Sequence, residues 1–343
     1  MVVTVADSLD LVTATQKDLG KGKLSQIAQA FPNYPFVDKI MNRDQVKFHS
    51  GTSIQRTIMY KTSGAARHVG MFTPDVVNVA NVLATIDIPW RHNTTNYAFE
   101  HREFLVNRTP AQIVDLIKVR RLDSYLSLAE LFEAAAWAKP TDSSDKVTPM
   151  GLPYWVVKGA SQGFNGLNPA GFTSGAGGLD SATYTTWANW TDVYTTVSKD
   201  DLISKMRLAF RKIDFKQPTT VKEFRTGLGR KLAIFMNLET LQALEQLAEA
   251  QNESLGRDIA SMDGQTVFRG LPMQWIPALD SDTTDPIYMI DTRHYYPVFL
   301  EGDYLRESKP AVSPDQHNTL VVHVDCTWNL YCDDRRRQAV ISK

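Results

Sequence analysis

The sequence lacks most of the signatures that announce a chemistry. Its 343 residues include two cysteines, Cys326 and Cys332, too few for a disulfide framework. They sit six residues apart on one predicted strand, roughly 20 Å, which is beyond bonding reach. A reducing compartment fits. Thirty-seven Lys and Arg against thirty-eight Asp and Glu leave a net charge of −1, without the basic excess of a bulk nucleic-acid binder. No apolar run is long enough to cross a membrane. The start MVVTVADSLD has no basic region ahead of an apolar core, so no signal peptide is read. The sequons at Asn93, Asn107, Asn189 and Asn252 therefore carry little meaning.

Catalytic and ligand motifs are equally scarce. There is no G-x-S-x-G elbow and no His-Glu-x-x-His. His92 and His101 have no third ligand at a useful spacing. Asp280, Asp282 and Asp285 open like a calcium loop but have no central glycine and no closing glutamate, so a solvated turn is expected. Asp333 and Asp334 are adjacent on a strand and face opposite ways. Glu130 and Glu133 share a helix face, where solvent exposure is the simple expectation. The run GASQGFNGLNPAGFTSGAGGLD (159–180) has neither the Gly-Lys-Ser/Thr ending nor the strand–turn–helix context of a phosphate loop. It reads as a long loop with several positive-φ glycines, of the kind that is usually functional or tied down by a partner. Trp187, Trp190 and Tyr194 form an aromatic cluster that suits either sugar binding or core packing. No enzyme activity, cofactor or metal is expected.

What is present is patterning. Thr109 and Pro110 suit an N-cap and a first helical position. Behind them Ile113, Leu116, Ile117, Leu122, Tyr125, Leu126, Ala129, Phe132, Ala136 and Trp137 recur at mostly helical spacing, with one slip at Arg120–Arg121. The pattern predicts a helix over 109–139, more than twice the usual length. LVVHVDCTWNLYC (320–332) alternates strictly and predicts a strand of matching length, about 43 Å. Either that strand runs beside the long helix, or the two serve separate layers.

Shorter elements fill the remainder. Residues 1–45 read either as an arm that gains order from a neighbour or as a frayed terminus, with a short helix over Leu24–Phe31. Residues 46–72 read as a hairpin: Ile54, Arg56 and Ile58 alternate with polar residues, TSGAAR (62–67) turns at Gly64, and His68–Phe72 return. No acidic residue lies between Asp44 and Asp75, whereas Lys47, Arg56, Lys61 and Arg67 are present. Such a ribbon is either a projecting arm for the acidic surface of another subunit or an edge hairpin guarded by its cations. Ala84–Trp90 and Tyr97–Phe99 suggest a second strand pair around a turn at His92–Asn96. Ser198 and Asn237 are good N-caps, and Lys199, Lys205, Arg207 and Arg211 give the helix after Ser198 a basic face. Residues 151–312 form a mixed α/β insertion between the long helix and the long strand.

That order of elements resembles the major capsid proteins of tailed bacteriophages. GLPYW (151–155), GLPMQWIPAL (270–279), PVFLEGDYLRES (297–308) and the run from Trp187 to Tyr194 also look like that family. The resemblance spans essentially the whole chain. It implies an α+β fold that encapsulins share, with an N-terminal arm (1–45) and an extended hairpin loop (46–75). A peripheral domain (76–150 and 313–343) would be built on a spine helix at 109–139, beside an axial domain (151–312). The function it implies is that of a major capsid protein. Copies would assemble as pentamers and hexamers into an icosahedral virion shell around double-stranded DNA, in the host bacterial cytoplasm. Scaffolding protein would be a separate chain or absent, the portal would be a separate chain, and no membrane would be involved. Contacts between subunits would fall at Arg56, Lys61, Gly64, Arg67, Phe164 and Asn165. Lys61 has no acid-and-acceptor arrangement around it, so crosslinking is not expected. The alternatives are an encapsulin-like compartment shell and a glycan-binding or glycan-cleaving protein that uses Trp187, Trp190 and Tyr194.

Overall fold

The computed structural model describes residues 5–19, 34–41, 46–72, 81–106, 110–214, 232–250, 259–262 and 265–343. Helices α1 (Val5–Leu19) and α2 (Pro35–Ile40) precede strands β1 (Lys47–His49), β2 (Ser53–Met59), β3 (Leu83–Pro89) and β4 (Arg91–Glu100). The long helix is α3 (Pro110–Trp137). Then follow β5 (Gly163–Gly166), β6 (Asn189–Val193), α4 (Ser204–Asp214), β7 (Leu232–Met236) and α5 (Leu238–Ala250). The remaining strands are β8 (Ile259–Met262), β9 (Gln265–Phe268), β10 (Leu271–Trp275), β11 (Ile287–Asp291), β12 (Tyr295–Leu300), β13 (Arg306–Glu307), β14 (Ala311–Ser313), β15 (Gln316–Cys332) and β16 (Ala339–Ser342). The chain forms two compact units: Met1–Thr52, Trp90–Ala136 and Pro297–Asn329 make one, and Ser53–Pro89, Trp137–Tyr296 and Leu330–Lys343 the other.

The first unit is the long helix on a sheet whose centre is β15. Among the described residues, β1, β12, β15 and β13 are neighbours in that order, with β14 and β4 also pairing to β15. Phe132 of α3 meets Trp328 of β15 edge-on at 4.5 Å and Phe299 of β12 at 6.3 Å. The long strand therefore does run beside the long helix. The slip in the apolar pattern has a physical cause. Arg121, not Leu122, occupies the buried stripe, and Leu122 is exposed. Arg121 keeps its charge there through an ion pair with Glu307 at 2.7 Å, an arrangement that makes burial tolerable. Glu133, expected in solvent, is also buried. Its Oε2 accepts from the backbone N–H groups of Phe36 and Val37 at 3.0 and 3.1 Å, which meets the free donors at the start of α2. Glu130 accepts from the Tyr34 hydroxyl. Phe36, Val37, Ile40 and Met41 are buried, so residues 34–41 are ordered by their own chain rather than by a neighbour. Thr109 and Leu24–Phe31 lie outside the described residues.

Two strand pairings differ from expectation. His92–Asn96 is not a turn but part of β4, which pairs antiparallel with β15 from Thr319↔Glu100 to Trp328↔Arg91. Its polar residues lie opposite the equally polar His323 and Asp325, so the stretch reads as a wet half-strand. The return strand at His68–Phe72 is absent, and β2 pairs instead with β3, Ile54 opposite Ile88 and Ile58 opposite Ala84. Residues 62–72 hold mostly small or polar side chains, whereas Ala84, Ile86 and Ile88 offer an apolar face at period two to match that of β2.

The second unit is an eight-stranded sheet in the order β5-β6-β16-β11-β7-β10-β9-β8. Leu202, Ile203, Met206, Ala209 and Ile213 of α4 and its entry turn pack with Ile234, Met273, Met289 and Ile341 of the sheet. Ser198 and Asn237 cap as expected, accepting from the N–H groups of Asp201 and Thr240.

Candidate functional site

The β2–β3 ribbon and the loop that it carries stand out as the surface least explained by the unit's own packing. Ile54, Ile58, Ala84, Ile86 and Ile88 bury one face of the ribbon. Beyond it the chain changes character. Every residue from Lys61 to Phe72 is exposed, including Val69 at 60%, Met71 at 92% and Phe72 at 100%. Phe72 has φ +63°, an uncommon conformation for a bulky residue. Scattered single apolar residues need no explanation, but three within four positions at a loop tip do. Gly64 lies at φ +65° with open space around it, so its role is conformational. Lys61 lies over the Tyr60 ring at 5.2 Å. Lys61, Gly64 and Arg67 thus share one projecting finger.

Arg56 does not belong with them. Its Nη1 donates to the Tyr296 hydroxyl at 2.9 Å, and its guanidinium lies over the rings of Tyr296 and Tyr331 at 5.4 and 5.5 Å. The finger is fixed at a second place by the glycine-rich loop. Asp87 N–H donates to Gly177 O at 3.1 Å, Thr186 Oγ1 donates to Tyr60 O, and the Tyr60 and Tyr184 rings meet edge-on at 4.7 Å. A Cβ on Gly177 would lie 2.6 Å from Ile86 Cγ2, so glycine is what lets the loop approach the ribbon. As expected, the run is a loop with positive φ at Gly163, Gly171, Gly175, Gly177 and Gly178.

The loop is itself held from beneath by Arg335, which is completely buried. Its guanidinium donates to the carbonyls of Trp155, Trp187, Gly166 and Leu167 and to Asn189 Oδ1, at 2.7–3.2 Å. Burial pushes its pKa down to about 10, so it is still a cation at neutral pH. Phe164 packs edge-on against Trp190 at 5.1 Å and beneath Arg336 at 4.3 Å. Asn165 is exposed, and its amide donates to Ser161 and Gln162. These two side chains are therefore separate from the finger in their contacts. Neither Arg335 nor the Arg56 anchor was identified from sequence, because their partners lie more than a hundred residues away.

Other candidate groups are occupied by structure. Trp187, Trp190 and Tyr194 are buried at 1%, 5% and 1% exposure, which leaves no aromatic platform for a sugar ring; the glycan reading of these residues is overturned. Asp280 accepts from Leu238 N–H and Trp275 Nε1, Asp282 pairs with Lys158, and Asp285 accepts from Asn237 and pairs with Lys343. The three carboxylates thus point to different partners. Among the described residues no helix is long and apolar enough to cross a membrane.

No family model matches the sequence, and no curated protein is similar to it. Solved structures are similar to it in fold. The cyanophage A-1(L) capsid asymmetric unit aligns over 86% of this chain and 89% of its own with a TM-score of 0.55 at 10% identity. The fold is that of a phage capsid subunit. A structure from Microbacterium phage Oxtober96 aligns over 99% of both chains at 11% identity, with a TM-score of 0.50. One from Mycobacterium phage Bobi covers 100% of this chain and 99% of its own at 10% identity, also at 0.50.

Proposed function

We propose that the chain is a phage major capsid protein whose copies assemble as pentamers and hexamers into an icosahedral shell around packaged double-stranded DNA. The observation that carries this reading is the finger: a capsid fold that holds Val69, Met71 and Phe72 bare in water. Burying a large apolar side chain is worth about 1.5–3 kcal/mol, and the described residues leave these three exposed. A second copy covers them. The outer face of α3 carries exposed Val119 and Leu122 with Asp115, Asp123 and Glu130 around a single Lys118, a net-acidic surface with an apolar gap that complements Lys61 and Arg67. In this reading residues 151–312 form the axial domain, 76–150 with 313–343 the peripheral domain, and 46–75 the loop between copies. Phe164 and Asn165 serve as axial-domain contacts. Scaffolding protein and portal are separate chains, and assembly takes place in the host bacterial cytoplasm.

The test is electron microscopy of the purified chain, alone and with its phage's scaffolding protein, followed by analysis of particle contents. Closed shells that protect nucleic acid from nuclease support the proposal. Shells filled with an enzyme and free of nucleic acid would convert it to a compartment shell. Lys61→Glu with Arg67→Glu is expected to abolish closed shells while the monomer stays folded; shells formed as readily as by the parent chain would remove the acidic-neighbour contact.

A further inference from the structure

We infer that Arg56 is a positioning residue that sets the finger from inside its own subunit, through a relay that ends on Asp333. This deepens the shell proposal and is tested so that the two fail separately. The sequence places Arg56 on β2 between Ile54 and Ile58, on the face that period two sends inward. Its neighbours on that face are buried, and Arg56 is half-buried between them. A cation placed there must find an acceptor or stay solvated. It finds Tyr296: the guanidinium donates at 2.9 Å to the phenol oxygen, which in turn donates to both oxygens of Asp333 at 2.8 and 2.9 Å. Tyr296 is 1% exposed and Asp333 5%. The carboxylate thus polarises the phenol oxygen that accepts from Arg56, and serial bonds of this kind strengthen one another. The rings of Tyr296 and Tyr331, 5.7 Å apart, present their faces to the same guanidinium.

The ribbon needs this. Among the described residues β2 and β3 form a sheet of their own, paired to no third strand. Two-stranded ribbons are marginal without packing. Arg56 ties β2 to β12 and β15 residues 240 and 275 positions away in sequence, while the Gly177 and Thr186 contacts tie the other side. Lysine cannot replace it, because the contact uses a planar group that stacks and donates at once. The cations of the ribbon therefore divide into two classes: Arg56 holds the root, and Lys61 with Arg67 face outward from the finger.

Hydrogen exchange of the unassembled chain, at a concentration where it sediments as a monomer, separates the classes. Arg56→Met is expected to speed exchange of the β2 and β3 amides about tenfold, as loss of a charged hydrogen bond would, with Arg56→Lys and Tyr296→Phe giving smaller increases confined to the same strands. Lys61→Glu with Arg67→Glu should leave those amides at the parent rate. Melting of each variant is followed in parallel; if Arg56→Met unfolds the chain globally, the two conservative variants carry the test. Parent-like exchange in the Arg56 variants overturns the anchor, even when they fail to assemble, because Arg56 would then act between copies. A parent chain that never assembles, with the exchange difference intact, sinks the shell proposal and leaves the anchor standing.

Discussion

Arg335→Met removes a guanidinium that is wholly enclosed and faces five acceptors. Four are backbone carbonyls, from Trp155, Trp187, Gly166 and Leu167, and the fifth is Asn189 Oδ1. No carboxylate accepts from it among those contacts, so the charge is solvated by neutral dipoles and the face of the Trp187 ring. Leaving a buried acceptor without a donor costs about 1–3 kcal/mol each, which would exceed 5 kcal/mol if all five stayed bare. Methionine fills part of the volume and removes the cost of burying a charge, which offsets several kcal/mol. The net expectation is a loss of about 3–4 kcal/mol. For a unit of this size that lowers Tm by about 10 °C. Arg335→Lys keeps the charge but concentrates its donors on one atom, and should lose about half as much. The assay is thermal unfolding of the unassembled chain followed by near-ultraviolet circular dichroism, since Trp155 and Trp187 flank the site. A Met variant that melts within about 2 °C of the parent would refute the idea that this cation organises the glycine-rich loop.

Three further outcomes are expected. Glu133→Ala strips the acceptor from Phe36 and Val37 N–H; a cap loss of about 1–2 kcal/mol should appear as faster exchange of those two amides, and unchanged protection would show that α2 is held by burial alone. Gly177→Ala places a Cβ 2.6 Å from Ile86 at φ +66°; a loss of about 1–3 kcal/mol is expected in urea unfolding, and a neutral result would mean that the loop is free to move off the ribbon. Stability should fall in alkali. Burial holds Tyr97, Tyr194 and Tyr304 at about 12 against an ordinary 10, and Cys326 at about 12 against 9. The native state therefore keeps protons that the unfolded chain releases, and the stabilisation is complete below pH 9 and lost between 9 and 12. Arg335 and Arg336, whose pKa values burial lowers, work the opposite way at high pH but are outnumbered. A Tm that stays flat to pH 11 would contradict this.

Much of the fold was legible because it rests on period. The alternation of 320–332 marked β15, and the stripe from Ile113 to Trp137 marked α3, to within a few residues. The irregularities were not legible, and each has a partner far away in sequence. Arg121 looked like a break in the stripe because its partner Glu307 lies 186 residues on. Glu133 looked wet because the N–H groups that it caps belong to α2. Strand pairing failed where several strands of similar pattern compete. Nothing local tells Ile58 to seek Ala84 rather than Val69, and the choice depends on how many large side chains each candidate can bury. The finger was visible as a stretch without acids, but its bare apolar tip was mistaken for a return strand. Arg56 was grouped with the outward cations by its charge, although period two puts it on the face of Ile54 and Ile58; what the sequence did not show was its acceptor Tyr296, 240 residues away.

The central claim is that the finger's apolar tip finds its cover on another copy of the chain. The most direct measurement compares the parent with Met71→Ser/Phe72→Ser by electron microscopy and sedimentation under shell-forming conditions. The account predicts closed shells for the parent and folded, unassembled subunits for the variant. Shells formed equally well by the variant, or a parent chain that stays monomeric under every condition with its scaffolding protein present, would contradict it.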